Sequence, residues 1–272
     1  MYLTKHKSAE GPRWALDGRA LPEDFELGQL LALSSAAIAD SLHAIALTEA
    51  APPGPLLAPV DASSEVWAAG VTYLRSREAR EAESTVRYLY AKVYDAERPE
   101  LFFKSPGWRV AGHGMPIRIR RDSRWNVPEP ELTLAINAHG EIVGFCAGND
   151  VSSRDIEGDN PLYLPQAKIY DGSCAIGPGI ALCGASLLQN LSIELTVLRA
   201  GRPIFTGETR TSRIKRPLQE LVDHLRKELD FPHGAFLMTG TGIVPPDEFS
   251  LAWGDVVRIS IGDLTLENEV VQ

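Results

Sequence analysis

Three carboxylates stand near one turn of this chain. In NVPEPELTLAINAHGEIVGFCAGNDVSSRDIEGDN, Glu129 and Glu131 flank Pro130, and Asp150 ends a second apolar run. Side chains alternate faces along a strand, so the two glutamates share a face if the segment is extended. Pro130 favours extension, because a residue before proline is pushed out of the helical region. A two-residue loop at His139 and Gly140 would set Asn137 opposite Ile142, Glu131 opposite Gly148, and Glu129 opposite Asp150. All three acids then share one face with Gly144, Cys146 and Gly148. Leu132, Leu134, Ile136, Val143, Phe145 and Ala147 fill the other. A one-residue slip would turn Asp150 away, and the coherence of both faces selects this register. Three carboxylates at close range repel one another unless a cation sits between them. An all-oxygen set suits Mg²⁺ or Mn²⁺. The plainer alternative is three unrelated acids at strand ends.

The elements that must hold these residues are mostly strands. From residue 116 onward come PIRIR, LTLAIN, EIVGFCAG, GIALCG, LSIELTVLRAG, RPIFTGET, DVVRISIGDL and LTLENEV, separated by turn residues. That pattern predicts a β-rich fold. One helix interrupts it, PLQELVDHLRKEL, with Leu218, Leu221, Val222, Leu225 and Leu229 on one face. Residues 1–62 read as a small N-terminal α/β domain with a helix over about 24–47, and EAAPPGPLLAPVDASSEVW reads as a proline-rich linker. Residues 63–272 read as the main domain. The charged run RSREAREAESTVRYLYAKVYDAERPE, about 75–100, reads as a solvated helix or as a lid beside a site.

Composition narrows the function. The chain has 272 residues, is 44% hydrophobic and 23% charged, and carries a net charge of −9. Its pI is near 5.2. A nucleic-acid partner needs a basic surface, and so does an anionic membrane, so neither is expected. The three cysteines match no zinc spacing and read as reduced thiols. The N-terminus lacks the apolar run of a signal peptide, and no stretch has the length of a membrane helix. A cytoplasmic enzyme is the expectation.

EPELTLAI followed by GFCAGNDVSSRD resembles the fumarylacetoacetate hydrolase family. The likeness continues through LPQAKIYDGSCAIGPGI and MTGTGIVPP, over roughly residues 65–272. It implies an α+β, β-rich fold with a mixed β-sandwich or roll core. It implies Glu129, Glu131 and Asp150 as ligands of Mg²⁺ or Mn²⁺, and Lys168 as a catalytic residue. Glu100 is the expected second proton-transfer group, preferred over Glu78, Glu81 and Glu97 because LFF after it should be anchored in the core. Ser76, Lys104 and Thr241 are the expected substrate-binding residues. The resemblance implies a homodimer or homotetramer acting on a small 2-keto acid. NDVSSRDIEGDNPLYLPQAKIYDGSCAIGP is most similar to the branch that dehydrates 2-keto-3-deoxy-D-arabinonate to 2,5-dioxopentanoate in pentose breakdown. In hydrolases and decarboxylases of the family a histidine follows three residues after a tyrosine. Here, in VTYLRSREARE, Ser76 has that place. An acylpyruvate-type hydrolase, decarboxylase or isomerase is the alternative enzyme, and a non-catalytic protein of the same fold is the third reading.

Overall fold

The computed structural model describes residues 1–45, 47, 50–83 and 92–272. Among the described residues, two large sheets, a small two-stranded sheet of Asn126–Val127 with Ser152–Ser153, and a helical layer make up the molecule. The large sheet has ten strands. Its path runs Arg19–Ala20, Gly11–Leu16, Tyr2–Ser8, Cys174–Leu182, Ile142–Asp150, Pro130–Ile136, Ala235–Met238, Glu65–Gly70 and Glu100–Pro106. Leu56–Leu57 pairs off this path, with Lys5 and His6. A five-stranded sheet holds Arg202–Arg210, Ser192–Arg199, Val256–Ile261, Leu264–Val271 and Ile117–Arg118. Pairing is antiparallel apart from Ala235–Met238 against Glu65–Gly70 and Leu264–Val271 against Ile117–Arg118. The fold is a sheet-rich α+β arrangement, as expected.

Burial explains why the central strands lack a polar face. Every residue of Pro130–Ile136 and of Ile142–Asp150 is buried. Leu132, Leu134 and Ile136 pack toward Leu195, Val257, Ile259 and Leu266 of the smaller sheet. Ala135, Val143 and Cys146 pack on the opposite side with Leu27, Leu31, Ile38 and Leu42 of the N-terminal helices. A sheet covered on both faces reads as a continuous apolar run. That double cover makes the strands stiff supports for whatever they carry at their ends.

The structure differs from the sequence expectations at several points. The Glu131–Gly148 pairing is as expected, and Asp150 N–H donates to the Glu129 carbonyl at 3.0 Å. The turn is different. Ile142 pairs with Ile136, and the register shifts by the next pair, Gly144 with Ala135. Asn137 builds the turn, its side-chain oxygen accepting from the His139 and Glu141 amides. The shift turns Val143 to the helical side of the sheet, away from the leucines. The expected long N-terminal helix is two helices, Leu27–Leu31 and Ser35–Ala44. Ser34 breaks it by capping the second, accepting from the Ala37 amide. The later helix spans only Leu218–Leu225, and Leu229 lies beyond it, 41% exposed. The proline-rich stretch is packed in part, with Ala58 and Val60 buried against the N-terminal core. The expected lid begins with the helix Leu74–Glu83. Residues 84–91 and the Glu81 side chain lie outside the described residues.

Candidate metal and active site

Glu129, Glu131 and Asp150 meet at the ends of the two central strands. Each offers an oxygen within 4.8 Å of the others, and all three are buried. Glu129 and Glu131 stand two positions apart, at the start of Pro130–Ile136, so they share a face. Asp150 ends the neighbouring strand on that same face. Strand pairing therefore forces the cluster, because none of the three can leave without breaking the ladder.

Three buried cations surround it. Lys168 Nζ donates to Glu129 Oε2 at 2.5 Å, to Ser152 Oγ at 2.6 Å and to Asp150 Oδ2 at 3.1 Å. Lys104 Nζ lies 2.6 Å from Asp150 Oδ1 and donates to the Lys168 carbonyl. Arg154 Nη2 donates to Glu129 Oε1 at 2.7 Å. Glu131 receives the Gly240 N–H on Oε2 at 2.6 Å. Burial pushes the Glu131 carboxyl well above the usual carboxylate range, and the charges of Asp150 and Glu129 push it further. Lys168 and the Gly240 amide offset only part of this. A carboxyl raised by two neighbouring carboxylates is relieved by a divalent cation, so the donor set fits Mg²⁺ or Mn²⁺.

The cluster floors a narrow cleft. Ser76, Glu100, Phe102, Glu157, Lys168 and Thr241 line it with the three acids. Lys168 Nζ sits 5.8 Å from the Phe102 ring centroid. The structure thus brings Lys168, Glu100, Ser76 and Thr241 to the cluster. Lys104 is elsewhere. Fully buried behind Asp150, it is absent from the cleft wall, and its ammonium supports that aspartate. Glu78 and Glu97 are exposed and do not line the cleft.

Two loops, at 70–72 and 239–241, contribute to the wall of the cleft. Thr72 Oγ1 donates to the Thr239 carbonyl at 2.6 Å. Gly240 follows with φ +87°, and a Cβ there would meet Thr72 Oγ1 at 2.1 Å. Only glycine fits that conformation and that space. Val71 lies between Gly70 and Thr72 with φ 52°, a strained setting for a β-branched residue and of the kind that clusters at functional sites. A Cβ on Gly70 would meet Glu100 Oε2 at 2.2 Å, so Gly70 is what admits the Glu100 carboxylate.

The sequence reading missed Arg154, Glu157, Ser152 and Gly240 as site residues. The first three lie inside the quoted SSRDIEG. Their types alone do not separate them from surface residues of a helix start. Tyr73 was missed too. It is 2% exposed, and its hydroxyl has no hydrogen-bond partner among the described residues. Burial and the Glu131 charge raise its pKa.

Comparison with known proteins agrees with this geometry. The model of the fumarylacetoacetate (FAA) hydrolase C-terminal family matches residues 65–271. A probable 2-keto-3-deoxyxylonate dehydratase of Haloferax volcanii is 48% identical over 214 residues, 78% of this chain and 73% of that protein. The 2-dehydro-3-deoxy-D-arabinonate dehydratase of Saccharolobus solfataricus is 42% identical over 213 residues, 76% of this chain and 70% of that protein. A solved 2-keto-3-deoxy-D-arabinonate dehydratase, complexed with magnesium and 2,5-dioxopentanoate, superposes with a TM-score of 0.86 at 32% identity, covering 100% of this chain and 99% of its own. With the matched model spanning most of the sequence, the chain belongs to the fumarylacetoacetate hydrolase family.

Proposed function

We propose that this protein is a metal-dependent hydro-lyase that converts 2-keto-3-deoxy-D-arabinonate to 2,5-dioxopentanoate in pentose breakdown. The observation that carries the reading is the buried Glu129–Glu131–Asp150 cluster flooring a cleft that also holds Lys168 and Glu100. The named relatives support the substrate. Their two names describe one compound in the D series. With a carbonyl at C2 and a methylene at C3, C4 is the only stereocentre left, so D-xylonate and D-arabinonate give the same 2-keto-3-deoxy acid.

Glu129, Glu131 and Asp150 would hold Mg²⁺ or Mn²⁺, which supplies Lewis acidity toward the oxygens of a bound 2-keto acid. Lys168, an ammonium between two carboxylates, donates toward the C2 oxygen and stabilises the charge that develops there. Glu100 takes the C3 proton and returns it to the departing C4 hydroxyl, which leaves as water. Tautomerisation then carries the C5 alcohol carbon to the aldehyde. Gly70 and the strand Glu100–Pro106 fix where Glu100 stands. Thr241 and Ser76 line the walls, with the Ser76 hydroxyl turned to the Tyr73 carbonyl at 2.9 Å. In this reading no residue at position 76 activates water for C–C cleavage.

The protein acts in the cytoplasm, where its three free thiols stay reduced. It works as a homodimer or homotetramer. Exposed Trp108, Trp253, Leu162 and Leu187 support an assembly. The test of the function is a substrate panel. With Mg²⁺, 2-keto-3-deoxypentonate should turn over and acylpyruvates should not. Fast release of pyruvate from acylpyruvates, with the pentonate untouched, would replace this reading with a hydrolase.

A further inference from the structure

Glu157 is a carboxylate of the cleft that the reaction above does not use. It is 4% exposed, lies on the helix Arg154–Asp159, and lines the cleft with the metal-binding acids. Its Oε2 is 3.8 Å from Arg154 Nε, and Arg154 also holds Glu129 Oε1. Arg154 is itself 2% exposed, among the largest fully buried side chains of the protein. The pair is therefore built in, and its arginine fixes a metal-binding glutamate and Glu157 at once.

The cleft is polarised. Lys168 and the three-acid cluster can receive an anionic keto acid through a cation and an ammonium. Glu157 cannot serve that end. An ionised carboxylate only accepts hydrogen bonds and would repel the substrate carboxylate. What it can receive is a donor, and the donors of a sugar acid are its hydroxyls. Resting on the dehydratase reading above, we propose that Glu157 is a specificity-determining residue that binds the terminal, C5 hydroxyl of the substrate, with Arg154 as its positioning residue. Such a residue would select sugar-derived keto acids over acylpyruvates, which present no hydroxyl there. A site built to hydrogen-bond a hydroxyl favours the substrate that carries it, because the analogue lacking it makes one bond fewer.

The test pairs a residue change with a substrate change. Water loss is followed for 2-keto-3-deoxypentonate and for its 5-deoxy analogue, 4-hydroxy-2-oxopentanoate, in wild type, Glu157→Gln and Glu157→Ala. The wild-type preference in kcat/KM for the hydroxylated substrate should fall by about tenfold or more in Glu157→Ala and by less in Glu157→Gln, whose amide still accepts from a hydroxyl. Mn²⁺ affinity, read by electron paramagnetic resonance, should stay near wild type in Glu157→Gln. An unchanged preference in both variants overturns the proposal. So does a loss shared equally by both substrates together with lost Mn²⁺ affinity, the mark of a group that only braces Arg154. If a variant does not fold, a wild type that handles both substrates equally overturns the proposal by itself and leaves the dehydratase reading standing. A wild type that dehydrates neither substrate overturns the dehydratase reading instead.

Discussion

Glu131 carries the sharpest conflict at the scale of single residues. Burial, Asp150 and Glu129 hold its carboxyl above the ordinary range. The folded, metal-free protein therefore binds that proton more tightly than the unfolded chain. The stability this gives is complete below the unfolded value, about 4.3. It is lost as pH rises through the raised folded value. Mg²⁺ takes the proton's place, so its gain in Tm should grow as pH rises above that unfolded value toward the upper pH measured. Thermal unfolding with and without Mg²⁺ checks this, and a pH-independent gain would contradict it. Glu131→Gln should raise the Tm of the metal-free protein near the upper pH and remove the response to Mg²⁺. Lys168→Ala should lower kcat by on the order of a hundredfold, the usual contribution of a positioned catalytic group. Metal dependence should survive in that variant, as read by activity across a Mg²⁺ titration.

Strands and loops decide how such residues meet. The Glu131–Gly148 register was legible because a slip would have moved a whole apolar set to the wrong face. The turn was not, because the Asn137 side chain replaces backbone bonds that a two-residue loop would make. Val143 changed faces for that reason. The break before Ser35 was equally hidden, since Ala32, Leu33 and Ser34 suit a continuing helix about as well as a cap. Of the site, the three acids and Lys168 could be read from motif order. Lys104 could not be placed, because whether a lysine faces a cleft or braces an aspartate from behind depends on strand packing. Gly240 shows the same limit. Its positive φ and its contact with Thr72 arise only when the loops at 70–72 and 239–241 meet. Gly240→Ala should push these loops apart and pull the amide off Glu131. Metal affinity should fall roughly 10- to 100-fold, as for other partners of a metal-binding side chain. Calorimetric titration with Mn²⁺ would show it, and unchanged affinity would mean that the amide does not orient Glu131.

For the whole molecule, the layering sets what the site can do. Helices on one face and the five-stranded sheet on the other leave the strand ends as the place where buried charge collects. Exposed tryptophans at 108 and 253 predict self-association, so the mass by light scattering should be a multiple of the chain's 29.7 kDa. A mass equal to one chain would refute it. The most direct test of dehydration as the chemistry is product identity. Carbon-13-labelled 2-keto-3-deoxy-D-arabinonate, incubated with the protein and Mg²⁺, should give a single five-carbon product, 2,5-dioxopentanoate, with its aldehyde carbon visible by NMR. Pyruvate and glycolaldehyde in its place would mean that a C–C bond breaks, and would contradict the account.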